Sequence, residues 1–191
     1  MPAATADAVV WTFGPSGWRI LLIERKSDPF AGSWALPGGF INPDEPPLLA
    51  CIRELKEETN VSERDFRDIG VFGDPGRDPR GWTISFAFYT FQLEGELKAR
   101  AGDDAERTRW HSMKRLPKLA FDHDRIIAKA RERLAVDLVT TDVARGFFKS
   151  TFTRLTVNAL LNGLTQTDNA LERLRAFGVV EASGRGRWKF R

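Results

Sequence analysis

The chain has 191 residues, of which 42% are hydrophobic and 29% are charged. That length suits one sizeable domain, or one domain with a small appendage, and the apolar content is sufficient to build a core. The single cysteine, Cys51, excludes an intramolecular disulfide, and no segment approaches the roughly 20 apolar residues of a membrane helix. The N-terminus also lacks the basic-then-apolar pattern of a signal peptide. We therefore expect a cytoplasmic protein.

The formal net charge of +3 hides an asymmetry between two parts of the chain. Residues 1–140 carry 20 Lys or Arg against 22 Asp or Glu, whereas residues 141–191 carry 9 against 4. A basic segment beside a near-neutral one favours a separate module that faces a polyanion. We predict two domains with these boundaries, 1–140 and 141–191.

Two apolar segments near the start of the chain, residues 8–13 and 18–23, predict paired strands. The Gly-Pro-Ser-Gly segment at 14–17 separates them and is a good hairpin connection. Residues 34–37 form a third, short extended segment. It leads into Gly38 and Gly39, where the backbone can approach a ligand closely.

The next element is a helix with a carboxylate-rich end. Proline is tolerated in a first helical turn, so this helix starts near Pro46, and Asn60 lies where a left-handed residue ends a helix. Its apolar stripe is formed by Leu48, Leu49, Ile52 and Leu55. Three carboxylates lie off that stripe at i, i+3 and i+4, namely Glu54, Glu57 and Glu58. They would repel one another by about a few tenths of a kcal/mol per pair unless a cation such as Mg²⁺ or Mn²⁺ binds them.

Residues 39–61 resemble the Nudix box. The resemblance is carried by Gly39, then Glu45 after five residues, then the hexapeptide Arg53-Glu54-Leu55-Lys56-Glu57-Glu58, and finally Asn60 and Val61. The family usually has glycine at the position of Asn60, and Asn is the next most tolerant residue of that backbone geometry. The plain alternative is a solvated helix face, but charge runs alone do not also specify the distant Gly and Glu. A second alternative is a site that binds a nucleotide without hydrolysing it.

The resemblance implies roles for the box residues. Glu54, Glu57 and Glu58 would hold Mg²⁺ or Mn²⁺ with help from the Gly39 carbonyl, and Glu57 and Glu58 would be catalytic. Arg53 would pair with Glu45 and orient the box. A metal-activated water would attack one phosphorus of a pyrophosphate. The general base stays open between a box glutamate and a carboxylate in residues 94–106.

Beyond the box, the chain alternates strand, loop and helix patterns. Residues 68–72, 82–93 and 107–111 predict strands, and residues 73–81 form a polar loop. Asp122 is placed to cap a helix that runs from His123 to about residue 138. These elements suit the α/β/α sandwich with a mixed sheet that the Nudix resemblance implies.

Three segments outside the box, at 33–40, 77–81 and 119–123, resemble ADP-ribose-directed Nudix proteins and Nudix-related transcriptional regulators of NAD metabolism. Each also has a plain structural interpretation: an aromatic at the edge of the core, a tight turn and a helix cap. The candidate substrate-binding residues are Arg25, Gly38 and Arg80. For both arginines the alternative is an ordinary solvated side chain.

The last 47 residues have a different pattern. Residues 152–161 predict one helix, and Thr165 is placed to cap a second that ends at Gly178. A strand, a basic turn and a strand follow. Together they resemble a winged-helix DNA-binding domain, in which the second helix would read the major groove and the hairpin would contact phosphates. The groove-reading candidates are Gln166, Thr167, Asn169 and Arg173, and the phosphate-contacting candidates are Arg185, Arg187 and Lys189. The alternative is a dimerisation or lid element.

Two functions therefore follow. The first is a Mg²⁺-dependent Nudix hydrolase that cleaves ADP-ribose, or a related nucleoside diphosphate derivative, to AMP and ribose 5-phosphate. The second is an ADP-ribose-responsive regulator that binds double-stranded DNA. DNA binding would imply a homodimer, because two recognition helices read paired half-sites.

Overall fold

A computed structural model of the protein describes residues 1–63, 65–92, 105–147, 152–161, 164 and 170–190. By internal contacts the chain divides into two compact units. The first comprises Met1–Thr12 and Arg19–Ala130, and the second comprises Phe13–Trp18 and Arg131–Arg191. The domain boundary after residue 140 stays a prediction.

The first unit is built on a mixed sheet that has seven strands within the described residues. Its strands are β1 (Ala3–Gly14), β2 (Gly17–Arg25), β3 (Trp34–Ala35), β4 (Gly38–Phe40), β5 (Arg67–Phe72), β6 (Thr83–Phe91) and β7 (Ala105–Ser112). The order is β3-β2-β1-β6-β5, with β4 paired to β1 and β7 paired to β2. β1 runs parallel to β6 and antiparallel to β4. The predicted mixed α/β fold is confirmed.

β1 is the central strand and is buried on both faces. Val9, Val10 and Trp11 are consecutive and fully buried, as expected for a strand that is covered on both sides of a sheet. The strand starts at Ala3, five residues before the predicted start, because its first half pairs with both β4 and β6. That pairing places the first half of β1 beside Gly38 and Gly39.

The first unit contains helix α1 (Pro47–Thr59) and the start of helix α2 (His123–Thr140). α1 begins beside Pro46, as predicted, and buries Ala50, Cys51 and Leu55 in a cluster with residues of β1 and β2. Asn60 ends it in the left-handed conformation, with φ 57°, and its N–H donates to the Lys56 carbonyl. Asn therefore does the work of the glycine that the family usually has there.

The second unit contains two short helices and a small sheet. Its elements are β8 (Phe152–Thr153), α3 (Arg154–Leu161), α4 (Ala170–Ala176), β9 (Val180–Gly184) and β10 (Arg187–Phe190), preceded by a 3₁₀ helix at Asp142–Phe147. Among the described strands the order is β8-β10-β9. Trp18 belongs to this unit: its Nε1–H donates to the Leu160 carbonyl at 2.6 Å, and its ring contacts Phe147.

The prediction that the first helix of this unit begins at residue 152 is wrong. Phe152 and Thr153 pair with β10 instead, and the Thr153 hydroxyl accepts a hydrogen bond from the Thr156 N–H at 3.3 Å. The helix therefore starts at Arg154. Gly178 follows α4 with φ 69°, in agreement with its predicted role as a stop. Thr165, the predicted cap of the second helix, lies outside the described residues.

No helix in the described part of the chain combines the length and apolar character needed to cross a bilayer.

Candidate active site

Arg53 is the centre of a closed network of box side chains. Its Nε and Nη2 donate to the two carboxylate oxygens of Glu45, both at 2.8 Å, which confirms the predicted pair. Its Nη1 donates to Glu54 at 2.7 Å and to Glu57 at 3.2 Å, and Nη2 also donates to the Phe40 carbonyl at 3.1 Å. The Arg53 bonds lower the pKa of Glu45 to about 2, and Glu45 in turn raises the pKa of Arg53. One guanidinium thus ties the segment before the helix to its carboxylate-rich end.

Glu54 is pressed against the backbone of Gly39. A Cβ added at Gly39 would lie 2.5 Å from the carboxyl carbon of Glu54, so no other residue fits at that position without moving the carboxylate. Burial raises the pKa of Glu54, because a desolvated carboxylate is less stable than one in water. A bound cation would reverse that cost.

The other two glutamates differ in exposure. Glu58 is 9% exposed, and its Oε2 accepts a hydrogen bond from the Gly38 N–H at 2.8 Å. The Glu57 side chain is 55% exposed. Among the described residues, no three His, Cys, Asp or Glu side chains form a ready-made metal site, and Arg53 is the cation that Glu54 and Glu57 contact. The oxygen-only donors and the glycine cradle fit a hard divalent cation such as Mg²⁺.

A cleft adjoins the box at Gly38 and Gly39. Most of its lining comes from β1 to β4 and from the segments around residues 78 and 122. The lining residues are Thr5, Asp7, Ile23, Arg25, Ala35, Leu36, Gly38, Gly39, Phe40, Arg77, Asp78, Arg80, Phe121 and His123. All three predicted substrate-binding residues, Arg25, Gly38 and Arg80, are therefore in one cleft.

Arg25 and Arg80 approach the same aromatic ring. The guanidinium carbons lie 4.8 Å and 5.3 Å from the Phe121 ring centroid, and Arg80 also lies 5.2 Å from that of Phe40. Arg25 donates to the Pro29 carbonyl at 2.9 Å, and burial lowers its pKa. These contacts hold two cations at the cleft while leaving the Arg80 side chain 40% exposed.

Asp78 holds Arg80 in place. Arg80 donates from Nε at 3.0 Å and from Nη2 at 2.7 Å to the two Asp78 oxygens, and its backbone N–H donates to the same carboxylate at 2.9 Å. Burial opposes ionisation of Asp78, but these bonds outweigh burial and lower its pKa. The plain interpretation of residues 77–81 as only a tight turn is therefore incomplete.

Sequence reasoning missed the partner of Asp122. Its side chain does not cap α2 but accepts two hydrogen bonds from the buried Arg77 guanidinium, at 2.6 Å and 3.1 Å. The Asp122 carbonyl, not its carboxylate, accepts from the helix N–H groups of Arg125 and Ile126. The physical reason is charge, because a buried guanidinium competes for the Asp122 carboxylate more strongly than the neutral N–H groups of the first helical turn.

Sequence reasoning also missed Asp7 and His123. Asp7 is 5% exposed and accepts a short hydrogen bond from the Ser85 hydroxyl. His123 is 4% exposed and accepts from the Leu36 N–H through Nδ1. An acidic residue inside an otherwise apolar strand was the available clue to Asp7, because a buried charge needs a specific partner.

The DNA-binding candidates are placed only in part. Arg185 is an exposed turn residue with φ 47°, and Arg187 is exposed on β10. The Lys189 Nζ lies 3.0 Å from the Glu181 Oε1 across the β9–β10 hairpin. Gln166, Thr167 and Asn169, like residues 94–104 of the candidate general-base segment 94–106, lie outside the described residues. Arg173 belongs to α4, but its side chain is also outside them.

Comparison with known proteins identifies the family of the chain. Residues 2–130 match the NUDIX domain family. The chain is 44% identical over 126 residues to the ADP-ribose pyrophosphatase of Methanocaldococcus jannaschii, a match that covers 66% of this chain and 71% of that protein. The chain therefore belongs to the Nudix family and is a Nudix pyrophosphohydrolase. Proteins of this family typically use a divalent metal ion.

Two solved structures resemble the whole chain. A MutT/nudix family protein from Enterococcus faecalis matches with a TM-score of 0.84 and 27% identity, covering 100% of this chain and 87% of that chain. Shewanella oneidensis NrtR complexed with a 27mer DNA matches with a TM-score of 0.69 and 25% identity, covering 98% and 92%. The likeness in both cases includes the C-terminal part of the chain.

Proposed function

We propose that the protein is a Mg²⁺-dependent pyrophosphatase that cleaves ADP-ribose or a related nucleoside diphosphate derivative, with AMP and ribose 5-phosphate as the products from ADP-ribose. The observation that carries this proposal is the closed Arg53 network with Gly39 packed on Glu54, next to a cleft whose lining includes Arg25 and Arg80. The 44% identity to an ADP-ribose pyrophosphatase supports the choice of substrate.

The box residues supply the charge that the reaction needs. Glu54, Glu57 and Glu58, with the Gly39 carbonyl, would hold Mg²⁺ or Mn²⁺, which when bound neutralises pyrophosphate charge and lowers the pKa of a water molecule. Arg53 keeps Glu45, Glu54 and Glu57 in fixed relation through four hydrogen bonds. It therefore acts by orienting the carboxylates and not by touching substrate.

The cleft residues supply substrate recognition. Arg25 and Arg80 contact the phosphates, since a planar guanidinium matches two phosphate oxygens and stays charged at any physiological pH. The exposed Phe40 ring and the Phe121 ring offer apolar faces beside Arg80. Gly38 lets the backbone approach the ligand, because it has no side chain to obstruct it.

The first experiment incubates the protein with ADP-ribose and Mg²⁺ and follows AMP. We expect turnover that stops with EDTA and falls about 100-fold in Glu57→Gln, because that change removes one ligand charge while keeping the side-chain shape. Glu132→Gln, which changes an exposed carboxylate on α2, is the matched control and should keep the wild-type rate. An unchanged rate in Glu57→Gln would contradict the proposal.

A second candidate function is an ADP-ribose-responsive DNA-binding regulator. The observation that favours it is the similarity, over 98% of this chain, to a protein solved in complex with DNA. In this proposal the C-terminal segment is a winged helix, with Gln166, Thr167, Asn169 and Arg173 reading bases and Arg185, Arg187 and Lys189 contacting phosphates. The functional form would be a homodimer on a palindromic site.

Selection of genomic DNA fragments by the full-length protein, with and without ADP-ribose, tests this function. We expect enrichment of a palindromic sequence, release of that DNA by ADP-ribose, and affinity that falls steeply with salt. Saturable ADP-ribose binding without AMP release would move the regulator ahead of the hydrolase. Failure to enrich any sequence would exclude it as the main function.

A further inference from the structure

The segment 36–39 contains Gly38 and Gly39 and is anchored from both sides. At one end the Leu36 N–H donates to Nδ1 of His123, the first residue of α2, at 2.9 Å. At the other end the Gly38 N–H donates to Glu58 Oε2, on α1, at 2.8 Å. His123 and Glu58 therefore fix the same short stretch of backbone from two different helices.

The two ring nitrogens of His123 have separate tasks. Because Nδ1 accepts the Leu36 hydrogen bond, the ring proton of the neutral imidazole is on Nε2, which faces Asp7 Oδ1 at 3.8 Å. Asp7 is itself held by the Ser85 hydroxyl. Burial lowers the pKa of His123, which keeps the ring neutral and Nδ1 available as an acceptor.

Neither glycine of this segment could carry a side chain without a steric clash. A Cβ on Gly38 would lie 2.6 Å from Asp7 Oδ1, and a Cβ on Gly39 would lie 2.5 Å from the Glu54 carboxyl carbon. The segment thus runs between the Asp7–His123 pair and the box carboxylates in direct contact with both. Any shift at Leu36 changes how the Gly39 backbone meets Glu54.

We propose that His123 is a positioning residue of the active site, which holds the Leu36 N–H so that the Gly39 backbone stays against the metal-binding glutamates. This inference rests on the proposed metal-dependent function of the box. It predicts that metal binding and turnover depend more on the Nδ1 contact than on the Nε2 contact, since only Nδ1 bonds segment 36–39. Outer contacts of this kind typically change metal affinity or activity by 10-fold to 100-fold.

Two variants separate the contacts. His123→Asn places an amide oxygen on Cγ, at the position of Nδ1, and retains an acceptor for the Leu36 N–H. His123→Gln places its amide one bond further out, near the position of Nε2, and loses that acceptor. Both introduce a neutral amide of similar polarity at the same buried position, so each serves as the control for the other.

The measurements are Mn²⁺ affinity, from the paramagnetic resonance of free Mn²⁺, and kcat and KM for ADP-ribose. We expect His123→Gln to weaken Mn²⁺ binding and to lower kcat by about 10-fold, with KM within about twofold, and His123→Asn to stay close to wild type. Equal values in the two variants, or a change in KM alone, would overturn the proposal. Mn²⁺ binding needs no turnover, so a difference between the variants in a protein that releases no AMP would sustain the positioning role and reject the hydrolase.

Discussion

The box helix and the β9–β10 hairpin both carry arginine, but the surroundings of these arginines differ. In the box, Arg53 is 27% exposed and contacts three carboxylates and a carbonyl of its own unit. In the hairpin, Arg185 and Arg187 are exposed, one on the turn and one on the strand that follows. The first arrangement fixes side chains relative to one another, whereas the second presents charge to solvent. The Arg53 guanidinium is thus committed to carboxylates of its own unit, whereas the two hairpin guanidinium groups lie at the surface.

The largest expected contrast between the two regions is in stability. Leu55 on α1 is 1% exposed, whereas Leu155 on α3 is 81% exposed. We expect Leu55→Ala to lower the free energy of unfolding by about 3 kcal/mol, because packing is removed and a cavity remains. Leu155→Ala, which makes the same helix substitution, should change it by less than about 0.5 kcal/mol. Urea unfolding followed by circular dichroism measures both, and equal effects would show that α3 is covered in solution.

Removing the Arg53 guanidinium should disrupt the arrangement of the box carboxylates. Arg53→Met keeps most of the side-chain volume but leaves Glu45, Glu54 and Glu57 without their shared partner. We expect kcat to fall by roughly 10-fold to 100-fold, because the carboxylates are no longer held in fixed relation. Lys56→Met, which removes an exposed cation on the same helix, is the matched control. A wild-type rate in the Arg53 variant would mean that the network is dispensable once metal binds.

A smaller effect is expected in the salt dependence of DNA binding by the hairpin, and it rests on the DNA-binding candidate function. Replacing Arg185 or Arg187 by Ala should reduce the slope of log affinity against log salt by about 1, because each substitution removes one cation that neutralises a phosphate. The exposed Arg131 on α2 supplies a control substitution. If all three variants share one slope, the hairpin does not contact the DNA backbone.

The smallest expected effect concerns pH. The folded pKa of Glu45, about 2, lies below its ordinary value of 4.5 because of the Arg53 bonds. A depressed carboxyl pKa contributes stability that is fully present above the unfolded value and is lost as the pH falls toward the folded one. We therefore expect the unfolding free energy of wild type to decline more steeply between these pH values than that of Glu45→Gln.

The Arg53→Met background tests the cause of that decline. In that background, the protein with Glu45 and the protein with the Glu45→Gln substitution should become less stable in parallel, since the partner that depresses the pKa is gone. A persistent difference between them would assign the effect to the Asn42 N–H, which also bonds Glu45 at 3.0 Å.

Much of the box could be predicted because its parts are close in the sequence. The start of α1 and the left-handed Asn60 follow from residues within one helix and its flanks, and the Arg53–Glu45 pair follows from the resemblance to the Nudix box. The cleft is harder to predict, because its contacts join segments far apart in the chain, such as Asp7 with Ser85 and Arg77 with Asp122. The start of β1 was missed for a related reason: its alanines have low strand propensity, and pairing on both sides overrides that preference.

The second unit shows a different limit of sequence reasoning. Helical periodicity located α3, but it could not reveal that Phe152 and Thr153 join a sheet with a strand 35 residues later. The net charge of residues 141–191 does not indicate which of its cations form ion pairs. Lys189, for example, lies beside Glu181. Composition describes a surface only on average, whereas function depends on individual pairs.

The parallel pairing of β1 with β6 also has a consequence for the order of folding. Its nine residue pairs, from Ala3 with Thr83 to Trp11 with Phe91, each join positions 80 apart in the chain. Contacts of such long range carry a large loop-closure cost and form slowly. During synthesis, the central strand must wait for β6 before its hydrogen bonds on that side are made. Asp7 cannot reach Ser85 until β6 has been synthesised, and the Leu36 N–H cannot reach His123 until α2 has followed.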